Sequence, residues 1–476
     1  MLDNRACGQM QDEVGFKHVI GIGECFMEMI NLGYGRSEKE KRYMIFGDGR
    51  KFVFALLVIV IGGGGMGACG PGPVEAGELR SDLERETLPV IEAGDLDALV
   101  SGNTAFALDL YAALVDDYDN LFYSPYSISL ALAMTYAGAR GETEQEMAQT
   151  LHFDLSQAQL HPAFNALDQE LANRGELIEL PDGEQEGFQL NIANSIWGQV
   201  DYAFLGEFLD LLALNYGAGM RVVDFVEDSE LARQQINDWV SDETEERIQD
   251  LIPEGVLDAA TTLVLTNAIY FNAAWMDPFD EAATKDGLFF LLDGGQVDVP
   301  MMNQSEWMHY AEGNGYQLVE RSYVGGKMAM DIILPDTGAF STIEADLDTE
   351  WLDQALSGLE GQQVALSMPR FEFESEVGLT ETLQTMGMPT AFGGGADFSG
   401  MDGTRNLFIG EVLHKAFVSV DEAGTEAAAA TAVIMERGMA PQSPIVISVD
   451  RPFIFLIRDL QTGAVLFVGR VLNPAL

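Results

Sequence analysis

Apolar residues recur at helical spacing in the first part of the chain, whereas they alternate or run continuously in the second part. Repeats of three and four residues predict helices, and alternating or unbroken apolar runs are typical of strands. The predicted helices are Thr104–Val115, Ser127–Ala137, Glu142–Leu151, Leu231–Asp250 and Thr380–Met386. The predicted strands are Gln189–Ser195, Thr261–Phe271, Lys327–Leu334, Val364–Phe373, Ile445–Val449, Pro452–Ile457 and Ala464–Val471. This separation of helices from strands predicts an α+β fold.

One stretch does not fit the pattern of its surroundings. Asp421–Val433 reads DEAGTEAAAATAV and follows the apolar run Ala416–Val420. Its alanines favour a short surface helix. Read with period 2, however, the small side chains of Thr425, Ala427 and Ala429 share one face, and Glu426 belongs to the other. A segment with such a face could enter a sheet as an additional strand.

The N-terminal part carries a pattern typical of an export signal. Arg50 and Lys51 precede the apolar run Phe52–Ile61, and small residues follow up to Cys69. The run is too short to span a bilayer comfortably, which favours a secretory signal. Met66–Cys69 resembles a bacterial lipobox, in which the cysteine is lipidated and becomes the mature N-terminus. Cleavage nearby without lipidation and an uncleaved anchor remain alternatives.

Composition shifts divide the chain into four predicted parts. Residues 1–43 match no signal pattern, so Met44 is the better start and the upstream part is interpreted as a mis-annotated extension. Residues 44–69 form the signal peptide with its lipobox-like end, and 70–100 form an acidic tether. Residues 101–476 form the main domain, with an exported, extracellular or cell-surface location.

The charge and the chemistry-bearing residues exclude several classes of function. Residues 1–51 contain eight basic and eight acidic residues, so the formal charge of −51 belongs to the rest of the chain. Such a surface repels nucleic acid and heparin-like polyanions. The three cysteines, Cys7, Cys25 and Cys69, all precede the main domain, and the five histidines show no metal-ligand spacing. We therefore expect no disulfide, no metal and no cofactor in the domain, and contact with a membrane only through a lipid anchor.

Several segments, in order along residues 101–476, are similar to those of one family. They are Asn120–Met147, Asn191–Gly198, Ile236–Pro253, Leu263–Phe279, Leu413–Ala430 and Val449–Asp459. On these segments the chain resembles the serpins, the serine protease inhibitors. Ordered matches over a whole domain are far more specific than one short pattern. The resemblance implies a monomer with three β-sheets, about eight or nine helices and an exposed reactive-centre loop.

The resemblance assigns Asp421–Val433 a mechanical role. In inhibitory serpins the cleaved loop inserts into a sheet as a strand while the protease is still attached to it. The residues that match the hinge of this loop are Glu422, Gly424, Thr425, Glu426, Ala427, Ala428, Ala429 and Ala430. Insertion requires the small size of Thr425 and of Ala427–Ala430.

The resemblance also assigns residues to the shutter and breach, the two places where the sheet opens. Ser124, Ser127, Asn267 and His414 match the shutter residues. Trp275 matches the breach tryptophan, and Arg370 matches a base that pairs with Glu422. Without the resemblance, His414 would be interpreted as an ordinary hydrogen-bonded core histidine and Trp275 as a core side chain.

The bait lies in Ile434–Pro441, IMERGMAP. Counting seventeen residues from Glu422, as in typical inhibitory serpins, places the cut between Gly438 and Met439. Arg437 is the only base in the loop, and cleavage after it suits a trypsin-like protease, whose specificity pocket carries a carboxylate. Chemistry favours the Arg437–Gly438 bond slightly over the count.

The resulting expectation is a suicide-type inhibitor of extracellular serine endopeptidases, and cysteine proteases are a second target class. The alternative is a non-inhibitory, serpin-like binding or chaperone module. The hinge favours inhibition, because non-inhibitory members tend to carry bulky, charged or proline residues there. An exported hydrolase is disfavoured: the domain has no G-x-S-x-G, no H-E-x-x-H and no cysteine nucleophile. We therefore expect no enzymatic activity.

Overall fold

A computed structural model describes residues 77–115, 120–175, 178–179, 185–186, 189–200, 202–425 and 443–476. Six α-helices lie in the first half of this part of the chain: α1 (Asp95–Leu114), α2 (Pro125–Tyr136), α3 (Gly141–Thr150), α4 (Gln157–Ala172), α5 (Gly206–Tyr216) and α6 (Phe225–Glu243). Four shorter helices follow: α7 (Phe340–Asp346), α8 (Thr349–Ser357), α9 (Thr380–Met386) and α10 (Ser399–Asp402). None of the described helices has the length and apolar character needed to cross a bilayer.

The first large sheet has seven strands. In spatial order they are β1 (Gly77–Leu79), β6 (Met220–Val223), β5 (Gln189–Gln199), β7 (Leu263–Ala274), β15 (Gly424–Thr425), β14 (Ile409–Val420) and β13 (Phe371–Gly378). β7 and β14 also pair directly with each other, and they do so in parallel. The neighbouring ladders β5–β7 and β13–β14 are antiparallel.

The second large sheet has nine strands. Eight follow one another in the order β16 (Ile445–Ser448), β12 (Glu360–Pro369), β9 (Gln296–Gly313), β10 (Tyr316–Ser322), β11 (Met328–Pro335), β17 (Phe453–Asp459), β18 (Val465–Val471) and β2 (Leu121–Tyr123). The ninth, β8 (Lys285–Phe290), pairs with the first part of β9. A small ribbon of β3 (Ile178–Glu179) and β4 (Gln185–Glu186) lies apart from both large sheets.

Helix α2 lies in the core between the two large sheets. Every residue of this helix is buried, and it packs against β5 and β7 on one side and β18 on the other. A helix that is buried all round needs apolar or small side chains on every face, and its sequence PYSISLALAMTY provides them. Ser124 caps its N-terminus by accepting a hydrogen bond from the Ser127 backbone. α2 therefore holds Ser124 and Ser127 beneath the seven-stranded sheet.

The segment 77–92, called here the N-terminal strap, is packed against the domain. Its first residues form β1, which pairs antiparallel with the edge strand β6. Arg85 donates to Asn165 at 2.8 Å and forms an ion pair with Asp168 at 2.7 Å, and the Glu86 carbonyl accepts from Asn165. The expectation of a free tether over residues 70–100 is therefore wrong from Gly77 onward, because these residues find strand and side-chain partners.

The α+β prediction is confirmed, whereas several predicted element bounds are wrong. The predicted strand Val364–Phe373 is in fact two strands, β12 and β13, in different sheets. The change occurs at Pro369 and Arg370, where β12 ends against β9 and β13 begins against β14. Helix α1 begins at Asp95, after Gly94 in the left-handed region (φ 96°), nine residues before the predicted start. Helices α4 and α5 were not predicted at all.

Candidate functional site

Three polar side chains stand side by side across the middle of the seven-stranded sheet. Asn194 on β5 is in register with Asn267 on β7, and Asn267 is in register with His414 on β14. Asn267 and His414 are buried. Polar groups at such depth require hydrogen-bond partners, and these residues supply partners to one another across two strand junctions.

His414 bridges the sheet and helix α2. Its Nε2 accepts a hydrogen bond from the backbone N–H of Ser124 at 3.2 Å, so Nε2 carries no proton. Its Nδ1 then carries the proton and donates to Oδ1 of Asn267. Both ring nitrogens are satisfied only in this neutral tautomer.

Burial favours the same protonation state. It lowers the pKa of His414 to about 3, and the hydrogen bond with Asn267 opposes this change only in part. At neutral pH the imidazole is therefore uncharged. The cluster depends on that neutrality, because an imidazolium could not accept from Ser124.

The two serines tie the helix to the asparagines. Ser124 Oγ donates to the Leu466 carbonyl at 2.7 Å on the nine-stranded sheet. Ser127 Oγ accepts from Asn267 Nδ2 at 2.7 Å and donates to Asn194 Oδ1 at 3.0 Å. The structure thus brings together all four predicted shutter residues and adds Asn194. These five side chains are called the shutter cluster below.

Sequence reasoning did not assign Asn194 to the shutter, although the residue lies in the matched segment Asn191–Gly198. It donates to the Ser127 carbonyl at 2.9 Å and accepts from Asn267. The sequence offered one signal for Asn194: it is an amide side chain in a predicted strand, and the predicted strand Thr261–Phe271 also contains an asparagine, Asn267. Only the register places the two asparagines opposite each other.

The predicted hinge begins inside the sheet. Gly424 pairs with Ala274 and Thr425 with Ala273 on β7, and Thr425 also pairs with Val420 on β14. The two-residue strand β15 is therefore inserted between β7 and β14, antiparallel to both. Thr425 is only 1% exposed. A longer strand in this position would be a continuation of β15.

An aromatic stack supports the inserted residues. Trp275 and Tyr323 stack with ring centroids 4.6 Å apart and ring planes inclined by 7°. The Tyr323 hydroxyl lies 2.8 Å from Oγ1 of Thr425. The Trp275 indole N–H donates to the Asp421 carbonyl at 3.0 Å. Trp275 thus has a specific contact with the turn before β15, whereas Tyr323 is a site residue that sequence reasoning missed.

Glu422 forms the predicted pair with Arg370. Its carboxylate is buried and accepts from the Arg370 guanidinium and, at 2.5 Å, from the Thr284 hydroxyl. Burial raises the pKa of Glu422, but the hydrogen bonds from Thr284 and Arg370 outweigh that effect and lower it overall. The carboxylate is therefore ionised and holds the hinge turn at the end of the sheet. Thr284 was not predicted.

β7 and β14 form a fork. They pair directly from Leu263 and Ile409 as far as Ile269 and Ala416, and beyond that point they separate to admit β15. The shutter pair Asn267–His414 lies two residues inside the closed part of this fork. The arrangement can thus receive a strand at its open end, and the shutter cluster lies close ahead of the point of entry.

Other predicted residues lie outside the part of the chain that the structure describes. These are the hinge residues Glu426, Ala427, Ala428, Ala429 and Ala430, the bait residues Arg437, Gly438 and Met439, and the proposed lipidation site Cys69. Among the described residues, no group of three or more histidine, cysteine or carboxylate side chains is arranged to hold a metal ion.

Comparison with known proteins decides the family. The family model described as serpin (serine protease inhibitor) matches residues 101–474. The chain belongs to the serpin family. This assignment confirms the predicted fold.

The serpin has similar relatives in two domains of life. An uncharacterized serpin-like protein of Thermococcus kodakarensis is 37% identical over 83% of this chain and 90% of its own length. The leukocyte elastase inhibitor of Sus scrofa is 39% identical over 80% of this chain and 100% of its own. Among solved structures, human thyroxine-binding globulin superposes with a TM-score of 0.71 at 30% identity, over 80% of this chain and 99% of its own.

Proposed function

We propose that this serpin is a suicide-type inhibitor of extracellular serine endopeptidases. The observation that carries the proposal is the position of Gly424 and Thr425, which already lie between β7 and β14 as the first residues of an inserted strand. Of the residues that follow, EAAAATAV, those on the face shared with Thr425 have the small side chains that further insertion requires. The relationship to an inhibitor of leukocyte elastase supports the same class of activity.

The reaction begins as ordinary proteolysis. The protease serine attacks the carbonyl carbon of the bait residue, the peptide C–N bond breaks, and the new N-terminus takes the proton. The bait residue remains attached to the protease as an ester. If the loop then enters the sheet before water cleaves that ester, the protease is displaced together with it.

The loop is long enough to extend along the whole of β7 and β14 in this step. β7 and β14 are 12 residues long, and fifteen extended hinge and loop residues span roughly 50 Å at about 3.3 Å per residue. Continuation of β15 would replace the parallel β7–β14 junction by two antiparallel ladders. Antiparallel pairing is slightly more stable per residue than parallel pairing, so the new hydrogen bonds favour insertion.

The bait is the Arg437–Gly438 bond or the next one along. Trypsin-like proteases are the expected targets, because Arg437 is the only base in the loop. Mass spectrometry of the serpin after protease attack identifies the bond directly. Fragments ending at Gly438 would favour the residue count over the side-chain chemistry.

The mechanism is tested by two arginine substitutions on opposite faces of the loop. Incubation with trypsin-like, subtilisin-like and elastase-like proteases should give an SDS-stable complex with at least one of them. Ala427→Arg places a large charge on the face shared with Thr425 and should convert the serpin into a cleaved substrate. Ala428→Arg, on the opposite face, is the matched control and should still form the complex.

The second candidate is a binding module without inhibitory action. The similarity to a thyroxine-binding globulin supports it, since that protein is described by the ligand it binds. Clean cleavage by every protease in the panel, without a complex, would favour this candidate. Equal behaviour of Ala427→Arg and Ala428→Arg would also argue against insertion.

The export route is part of the proposal. The signal-like residues 44–69 support secretion, and the lipobox-like end supports attachment through Cys69. Expression with labelled palmitate in a bacterial host should label the chain, and Cys69→Ser should abolish the label. A soluble, unlabelled product cut near residue 69 would support free secretion instead.

A further inference from the structure

A groove of about 290 Å³ lies outside the shutter cluster and the hinge. It is lined in part by two exposed apolar side chains, Trp307 and Met276, and by the acidic residues Asp277 and Glu306. Trp307 is 56% exposed and Met276 is 46% exposed. Exposed apolar side chains next to carboxylates are a feature of binding surfaces, and this groove is called here the Trp307 groove.

The groove lies between the two ends of the reactive-centre loop. On one side, Met276 and Asp277 follow Trp275, whose backbone N–H donates to the Ala423 carbonyl at 2.8 Å. On the other side, Glu306 pairs with Val364 on β12, and Val364 pairs with Ile445, the first residue of β16. Both ends of the loop are therefore anchored on strands next to those that line the groove.

The charges of the groove are incompletely matched. Within the described part of the chain, Asp277 and Glu306 form no ion pair, and Glu320, which also lines the groove, is paired with Arg458 at 2.5 Å and with His309 at 2.7 Å. Partial burial and the negative charge of Asp277 raise the pKa of Glu306. A cation placed between the two carboxylates would relieve that repulsion.

Arg321 meets this requirement only in part, because its charge lowers the pKa of Glu306 but does not outweigh burial and Asp277. It is 3% exposed, its guanidinium lies 4.5 Å from the Phe279 ring centroid and 5.0 Å from that of Trp275, and it donates to the Asp277 carbonyl at 2.9 Å. It therefore forms the floor of the groove and supports Trp275. The face of Trp307 and the two carboxylates remain available above it.

We propose that the Trp307 groove receives an arginine or lysine side chain from the surface of the protease that attacks the loop. The cation would lie against the Trp307 ring and between Asp277 and Glu306, a combination that aromatic faces and carboxylates both favour. The inference rests on the proposed function. It adds to the bait a second contact, which favours proteases that carry an arginine or lysine on the surface around the active site. Charged contacts of this kind act mainly on the rate of association.

The test measures reversible binding, so that it does not depend on complex formation. The probes are cationic trypsin and anionic trypsin, each with its catalytic serine replaced by alanine. Asp277→Asn combined with Glu306→Gln should weaken binding of cationic trypsin about tenfold at low ionic strength and leave anionic trypsin nearly unchanged. Trp307→Ala should weaken it about threefold or more, and Trp307→Phe should retain most of the affinity.

The matched control removes two charges elsewhere. Asp238→Asn with Glu243→Gln neutralises two exposed residues of α6, so it reports the general effect of the net charge on a basic protease. Equal weakening by both double variants would overturn the inference. Tighter binding after the groove substitutions would also overturn it, since that result indicates that the serpin's own Arg437 occupies the groove and is released.

Failure of the inference is distinguishable from failure of the proposed function. With catalytically active proteases, every groove variant should still give the SDS-stable complex, only more slowly. If the unmodified serpin forms no SDS-stable complex, the inhibitory mechanism is contradicted. If the groove variants form the complex at unchanged association rates, only the role of the groove is contradicted.

Discussion

Acid should destabilise this serpin through two buried histidines. His414 in the shutter cluster and His161 on α4 are both buried, and burial lowers the pKa of each to about 3. The unfolded chain binds protons at these positions near the ordinary pKa of about 6.5. Because the unfolded state binds more protons, the contribution of each histidine is intact above pH 6.5 and is lost progressively down to about pH 3.

The magnitude follows from the two pKa values. Between pH 7.5 and pH 5.0, each histidine should lower the free energy of unfolding by about 2 kcal/mol. Asp331 acts in the opposite direction, because burial, partly offset by Arg458, raises its pKa to about 6 and the folded state then takes up the proton first. The histidine contribution is therefore measured by comparing histidine variants with the unmodified serpin, because Asp331 is present in both.

The assay is urea unfolding at both pH values, followed by tryptophan fluorescence. His414→Gln and His161→Gln should each remove about 2 kcal/mol of the pH-dependent loss, and the double variant about 4 kcal/mol. His152→Gln, at a half-exposed position where the ring contacts Asp109, controls for loss of a histidine outside the core. The reasoning is refuted if the double variant loses as much stability between pH 7.5 and 5.0 as the unmodified serpin.

Three further predictions concern the contacts of the site and of the N-terminal strap. Asn194→Ala leaves Asn267 and Ser127 with fewer partners and should lower the stability by about 2 kcal/mol in urea; an unchanged midpoint would remove Asn194 from the shutter cluster. Tyr323→Phe keeps the aromatic stack but leaves the Thr425 hydroxyl unpaired, so stability should fall by about 1 kcal/mol and amide exchange at Thr425 should rise; unchanged exchange would separate Tyr323 from the hinge. Arg85→Ala breaks a partly exposed ion pair worth about 0.5–1 kcal/mol and should increase cleavage of the strap by a glutamate-specific protease, whereas unchanged cleavage would mean that β1 and the hydrogen bonds of Glu86 hold the strap without Arg85.

The sequence predicted the fold class and much of the site, but by different routes. Helical spacing located α9 with its correct bounds, because Thr380–Met386 is a short element between clear breaks. It missed α4, where Pro162 lies inside the helix and interrupts the helical pattern. It merged β12 and β13, since alternation continues across Pro369 and Arg370 although the chain changes sheets there.

The shutter residues could not be derived from spacing. Ser124 and His414 are 290 residues apart along the chain, and only the fold brings them together. The resemblance supplied them because it compares whole segments. It did not supply Asn194, Thr284 or Tyr323, whose roles depend on strand register and on the side chains that a buried hydroxyl or carboxylate happens to reach.

The fork between β7 and β14 also determines how the sheet would come apart. The β13–β14 ladder is unbroken from Phe371↔Val420 to Gly378↔Leu413, so these two strands would swing away together as one ribbon. If separation starts at the open end of the fork, only the one or two β7–β14 hydrogen bonds next to the already separated residues have to break at each step. The β7–β14 hydrogen bonds would then break one after another, and the two residues of β15 would mark the end at which this separation starts.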